Sequence, residues 1–392
     1  MEVTTQRNLW IDYLRSAITM LVVAHHASLS YTTFAWFDAE AYINSTHPIV
    51  DTRRWIGLDI FENFNDVFFM SLMFLIGGLF LTRSIARKGV SGFIRDRFLR
   101  LFVPFILPGT VFMLIAYFPS YYVAKGNADL IAYVRDFFTV ERWPVGPPWF
   151  LWLLFTFNLV FALLHRVFQG AGDHAGRLFS AIKNRPFVFF MLLFLVTSIL
   201  YVPVAFKVGA GTWTGIGPFD FQLSRIFLYF GYFALGIFIG NTDFNNNLFS
   251  EVSVVVRKWW LWVVLSVGVY TLLVGISEPL KELVQEKRVE EFQGWMIYYL
   301  IYSASCTLSC IAFITLFRKR IHSGNRIWNS LSDNAYLIYL VHYIFVVWCQ
   351  FLLLNLNIPA FLKFTITFSI SLMLSWCVSN VFRKIELVKK YL

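Results

Sequence analysis

Arg15 and His26 are the residues whose type and spacing point most directly to chemistry. They lie eleven positions apart in the apolar run DYLRSAITMLVVAHHASLSY, from Asp12 to Tyr31. An α-helix turns about 100° and rises about 1.5 Å per residue. Eleven residues therefore return to within about 20° of the starting direction over a rise of roughly 16 Å. The guanidinium and the imidazole share one helix face, some half a bilayer apart. His25 lies about 80° off that line, and Asp12, three residues before Arg15, can pair with it. A neutral imidazole titrates near working pH and suits general-base attack through a hydroxyl. Ionisable groups are expensive in hydrocarbon and turn toward a bundle interior or a wet cavity. His26 is expected to face a polar channel whose mouth is lined by Asp12 and Arg15. The alternative is a histidine pair that hydrogen-bonds its neighbours and holds helices together.

Further polar groups recur along the chain, each with two readings. Asp59, Glu62 and Asp66 share a helical face; they either orient a histidine or bind sugar hydroxyls, or they form a wetted helix end. Arg95, Arg97 and Arg100 lie in a loop just before the third apolar run. Arginine forks match phosphate geometry, so a phosphorylated donor such as a coenzyme A thioester can dock there. The alternative is anchoring to lipid headgroups. Trp149 and Trp152, in the segment WPVGPPWFLWLL, either stack on a sugar ring or belong to an interfacial belt. Arg225 either holds an anionic acyl or sugar group or snorkels to the interface. Tyr336, Tyr339, His342 and Tyr343 place a polar stripe deep in the ninth apolar run. Either it lines a cavity or it bonds neighbouring helices.

The elements that must position these groups are membrane helices. The chain has 392 residues, 58% hydrophobic and 14% charged, against roughly 45–50% and about 25% in soluble domains. Ten stretches approach the roughly 20 residues a span needs: Trp10–Tyr31, Leu58–Thr82, Leu99–Tyr122, Pro148–Phe168, Phe187–Phe206, Gln222–Asn241, Lys258–Ser277, Gln293–Phe317, Leu331–Leu354 and Ala360–Phe382. This reads as an all-α polytopic bundle in a single domain, residues 1–392. With the N-terminus cytoplasmic, the cytoplasmic segments, Arg7 and the tail from Arg383 included, hold 21 of the Lys and Arg residues and the outer segments 10, Lys363 among them. Both termini are therefore expected in the cytosol. The net charge of +10 is scattered in short clusters between apolar runs rather than in one stripe, which argues against nucleic acid. Cys306, Cys310, Cys349 and Cys377 all fall inside apolar runs, without metal-site or disulfide spacing, and no metal is expected. No cleavable signal peptide is expected.

Five segments in order resemble the acyltransferase 3 family of integral membrane O-acyltransferases. They are DYLR with Arg15 and, after ten residues, His26; FFMSLMFLIGGLFL; RDRFLRLFVPF with Arg97 and Arg100; GPPWFLWLLF; and LSDNAYLIYLVHYI. The resemblance covers most of the chain. It implies a ten-helix enzyme of the cytoplasmic membrane that moves an acyl group, usually acetyl, from cytosolic acyl-CoA to a hydroxyl of an extracytoplasmic glycan. By that resemblance His26 is the catalytic histidine, Arg15 supports it or the donor, and Arg97 and Arg100 meet the coenzyme. Asp12 is assigned to the channel, and Trp149, Arg225, Tyr336 and His342 to the acceptor side. The chain departs from many relatives in carrying Gly77-Gly78 where a Ser-Gly pair is common. Succinyl transfer to a periplasmic glucan, and a transporter or flippase, stand as alternatives. A homodimer is left open.

Overall fold

The computed structural model describes residues 8–241 and 248–391. α1 (Leu9–Leu29) and α2 (Ile56–Gly78) are joined by a long loop with one 3-10 turn at Tyr42–Asn44. α3 (Leu81–Arg97) passes through a π-helical turn at Phe98–Phe102 into α4 (Val103–Lys125). α5 (Leu130–Thr139) is capped by Asp129, whose side chain accepts from the Ile131 and Ala132 N–H groups. α6 (Trp149–Leu163), α7 (His165–Ile182) and α8 (Pro186–Val208) follow. A small antiparallel ribbon pairs β1 (Trp213–Thr214) with β2 (Phe221–Gln222), Trp213 opposite Gln222. The rest is α9 (Ile226–Gly240), α10 (Val254–Arg257), α11 (Trp259–Gln285), α12 (Glu291–Arg320), α13 (Arg326–Leu353), α14 (Ala360–Phe382) and α15 (Glu386–Tyr391).

Among the described residues, eight helices are long and apolar enough to cross a membrane. A ninth arises if α6 and α7, bent 82° against each other, count as one broken span. α1 falls outside this set because Asp12, Arg15, His25 and His26 interrupt its apolar run. It is instead enclosed by α2, α12, α13 and α14, which shields those groups from lipid. All ten expected stretches are helical, and the chain is a multi-pass membrane protein.

Three local readings change. The fourth stretch was expected to run to Phe168, but α6 stops at Leu163 and α7 turns away to pack along α9. His165, Arg166, His174 and Arg177 make hydrocarbon a costly place for α7. The arginine segment before the third stretch, read as a loop, is the helix α3. It buries Leu81, Ile85 and Phe93 on one side, packs on α6, and is kinked at Gly89. Lys363, counted among the outer loops, is wholly buried in the first turn of α14 and pairs with Asp51 at 2.5 Å. Arg7 lies outside the described residues.

Close packing without side chains fixes α2 against α9. α2 and α9 run side by side with the same direction, and small residues let their backbones touch. A Cβ added at Gly78 would lie 2.2 Å from the Phe233 carbonyl oxygen, and one at Gly236 would lie 2.0 Å from that of Leu75. This crossing accounts for glycine in the GG segment and holds the start of α9 beside the first half of α2. On α14, Lys363, Thr367, Ser371, Ser375 and Ser379 recur every fourth residue and are all fully buried, where α14 packs on α13 and α1.

Candidate active site

A cavity of about 710 Å³ lies on the face formed by the α1–α2 loop, the segment before α6 and the β1–β2 ribbon. That volume is ordinary for a small-molecule site. His26 lines it, with Trp36, Trp149, Trp213 and Tyr343 among its aromatic walls. Its carboxylates are Glu62, Asp66 and Asp220, and its described lining holds no Lys or Arg. Among the described residues no group of three or more His, Cys, Asp or Glu side chains is arranged to hold a metal ion.

His26 is surrounded by rings. Those of His25 and Tyr343 meet it edge-on, each with centroids 5.2 Å away; His342 lies at 5.5 Å and His47 at 6.5 Å. Its Nδ1 is buried without a hydrogen-bond partner among the described residues. His25 turns elsewhere, with its Nε2 3.8 Å from Glu62 Oε1. Asp66, on the same face of α2, forms a two-pronged pair with Arg225: Nη1 to Oδ1 at 2.9 Å and Nη2 to Oδ2 at 2.5 Å. The guanidinium also lies over the Tyr302 ring at 5.4 Å. Asp59 accepts from the Thr33 N–H at 2.8 Å and anchors the start of the loop.

The remaining expected residues divide between this cavity and the opposite face. Trp149 lines the cavity, whereas Trp152 gives its indole N–H to the Asp220 carbonyl and packs into the ribbon. Arg225 is spent on Asp66. His342 lies behind His26, fully buried and outside the cavity lining. Asp12 and Arg15 pair at 3.3 Å near the other end of α1, where the Arg15 side chain is 46% exposed. The cavity that holds His26 does not reach them. On that same face Arg100 pairs with Asp96 at 3.2 Å, Lys88 reaches Asp96 at 2.8 Å, and Arg97 lies over the Phe93 ring. The Tyr336 hydroxyl donates to the Arg100 carbonyl at 2.6 Å, so Tyr336 belongs with the arginines rather than the cavity.

The family model for acyltransferase 3, described as an acyltransferase domain, matches residues 8–380. The chain belongs to the acyltransferase 3 family. No curated protein and no solved structure matches it. The fold and family together make it a membrane acyltransferase.

Residues missing from the sequence reading complete the acyltransferase's cavity. Gln350 of α13 donates to the carbonyls of His26 at 3.1 Å and Ala27 at 3.3 Å. Its oxygen is thereby left to accept, so the His47 Nε2–H donates to it at 2.7 Å. Burial lowers the His47 pKa from 6.5 to about 3, which keeps the ring neutral. Gly146 has φ +54°, and a Cβ there would lie 2.6 Å from Met113 Sδ and 3.4 Å from the Tyr343 ring, so only glycine fits. These contacts join distant parts of the chain and carry no local spacing.

Glu141 fastens the loop on the cavity's other side. Its carboxylate accepts from the Tyr42 N–H at 3.1 Å and the Ile43 N–H at 2.5 Å. Burial raises its pKa from 4.5 to about 7, with the two N–H groups pulling the other way. A carboxyl raised on folding stabilises fully below its unfolded pKa, and that contribution is lost as pH rises through the folded one. The window here runs from about 4.5 to about 7. Thermal unfolding in detergent is expected to show a midpoint that falls between pH 5 and 8 in the wild type, with a shallower fall in Glu141→Gln. Parallel profiles would remove Glu141 as the cause.

Proposed function

We propose that this acyltransferase moves an acetyl group from cytosolic acyl-CoA to a hydroxyl of an extracytoplasmic glycan. Its place would be the cell membrane, with both termini in the cytosol as the Lys and Arg asymmetry argues. One observation carries the reading: an imidazole, His26, at the wall of a cavity rimmed by Trp36, Trp149 and Trp213. Indole faces suit the apolar face of a sugar ring, while Asn44, Asp220 and Gln222 offer partners for its hydroxyls.

In the proposed step the acceptor hydroxyl gives its proton to the cavity-facing nitrogen of His26 as its oxygen attacks the thioester carbon. The carbon–sulfur bond breaks, and the departing coenzyme A thiolate takes the proton back from His26. Arg97 and Arg100 would hold the donor's phosphates, and Arg15 with Asp12 would guard the route inward. On this reading the acyl arm reaches His26 along α1 from the arginine face, by a path that the cavity itself does not extend to, while the acceptor comes from the cavity face. Acetyl is favoured over succinyl by charge. A succinyl carboxylate would meet the carboxyl side chains of Glu62 and Asp220 with no free cation in the described lining, since Asp66 and Arg225 already neutralise each other.

The test is label transfer by purified protein from acetyl-CoA or succinyl-CoA to host glycan. Ester-linked acetate is expected, with acetyl favoured by at least about tenfold in kcat/KM. Transfer from neither thioester would remove the reading of donor and acceptor. Equal transfer from both would remove the choice of acetyl.

A further inference from the structure

His342 is fully buried on α13, one ring behind His26. Its Nδ1 lies 2.7 Å from the Tyr339 carbonyl oxygen. A carbonyl can only accept, so Nδ1 carries the proton and Nε2 of the neutral ring bears a lone pair. That Nε2 is buried and has no partner among the described residues. The Nδ1 of His26 is in the same condition. Two orphaned buried nitrogens on adjacent rings call for an explanation.

The two rings are tilted by 32° with centroids 5.5 Å apart. That separation accommodates one N–H···N bond once the nitrogens face each other. Hydrogen bonds at reaction centres are often long at rest and tighten in the substrate complex. The other neighbours of His26 are engaged or badly angled. His47 gives its Nε2–H to Gln350, and Tyr343 meets His26 edge-on at 77°. His25 turns its Nε2 to Glu62, and its Nδ1, also without a partner among the described residues, sits on a ring standing at 82° to that of His26, against 32° for His342.

We propose that His342 is a positioning residue whose Nε2 accepts a hydrogen bond from the Nδ1–H of His26. The bond fixes the tautomer that leaves Nε2 of His26 bare toward the cavity as the base. When His26 takes the acceptor's proton on Nε2, the Nδ1–H stays on the lone pair of His342 and the imidazolium is stabilised. This rests on His26 acting as the base.

The test compares His342→Gln, His342→Phe and His26→Ala in purified protein. Glutamine keeps an acceptor where Nε2 stands and can still donate to Tyr339, whereas phenylalanine keeps the ring and removes the acceptor. In His342→Phe, kcat is expected to fall about 10²-fold with KM for both substrates within about twofold. His342→Gln should keep kcat within about tenfold of wild type. Nitrogen-15 spectra of labelled histidine should show the fixed His26 tautomer in wild type and His342→Gln and a mixture in His342→Phe. An unchanged kcat in His342→Phe, or equal losses in both variants with folded protein, would overturn the proposal. An active His26→Ala would instead strike the base itself.

Discussion

Acyl transfer by His26→Ala is expected to fall by about 10² to 10⁴-fold, the range a positioned general base contributes. The variant should still insert and fold. His26 makes ring contacts inside a polar cavity rather than packing a helix crossing, and the α1 backbone stays tied to Gln350 through carbonyl groups that alanine retains. His25 also lines the cavity, but its Nε2 faces Glu62, so it is not expected to take over. The measurement is the initial rate of label transfer, normalised to protein that elutes as a single species in detergent. KM for the acyl-CoA should change little, since the arginines proposed to hold it lie on the opposite face. Wild-type rates in this variant would sink the assignment of His26.

Lys363→Met is expected to cost about 3–5 kcal/mol of stability, the usual result of leaving one member of a buried ion pair without its partner. Lys363 and Asp51 are both 0% exposed and 2.5 Å apart. Lys363 also donates to the Leu354 carbonyl at 3.2 Å, while the Asp51 N–H donates to the Ser30 carbonyl at 2.9 Å. The pair therefore ties the loop that carries Trp36 and His47 to the turn between α13 and α14. Thermal unfolding in detergent should show a large drop for Lys363→Met. Most of it should return when Asp51→Asn is added, because the double variant buries no unpaired charge. A midpoint unchanged in the single variant would mean the pair contributes nothing. Transfer activity should follow stability, since the same loop walls the cavity.

Much of this architecture was legible because hydrocarbon imposes a simple rule on composition. The ten apolar stretches are all helical, though the fourth is broken and eight of the described helices are long and apolar enough to span, and the i,i+3 spacing of Asp12 and Arg15 appears as an ion pair. Shared face on α2 likewise brings Glu62 to His25 and Asp66 to Arg225. Helical register says which way a side chain points, however, and not how deep a cavity reaches. Arg15 and His26 were expected to line one channel, yet the cavity takes in His26 alone. Amphipathic segments were misjudged for a related reason: α3 and α7 bury only one side and lie against the bundle, where a hydropathy count reads loop or span. His47, Gln350 and Lys363 were out of reach of spacing arguments, since each acts through a contact some 300 residues away.

The enclosure of α1 has a consequence for biogenesis. Chains emerge from the ribosome N-terminus first, so α1 reaches the translocon before the helices that pack on it. Of the four helices that enclose it, α2 follows at once, but α12, α13 and α14 are synthesised only after α11. Until they arrive, His26 lacks the α13 rings of His342 and Tyr343, and α2 alone shields the polar side of α1, at a cost that disfavours free residence in the bilayer. Nascent chains halted before α12 should therefore keep α1 extractable or chaperone-bound, and lateral release of the first helix should be among the final steps of assembly.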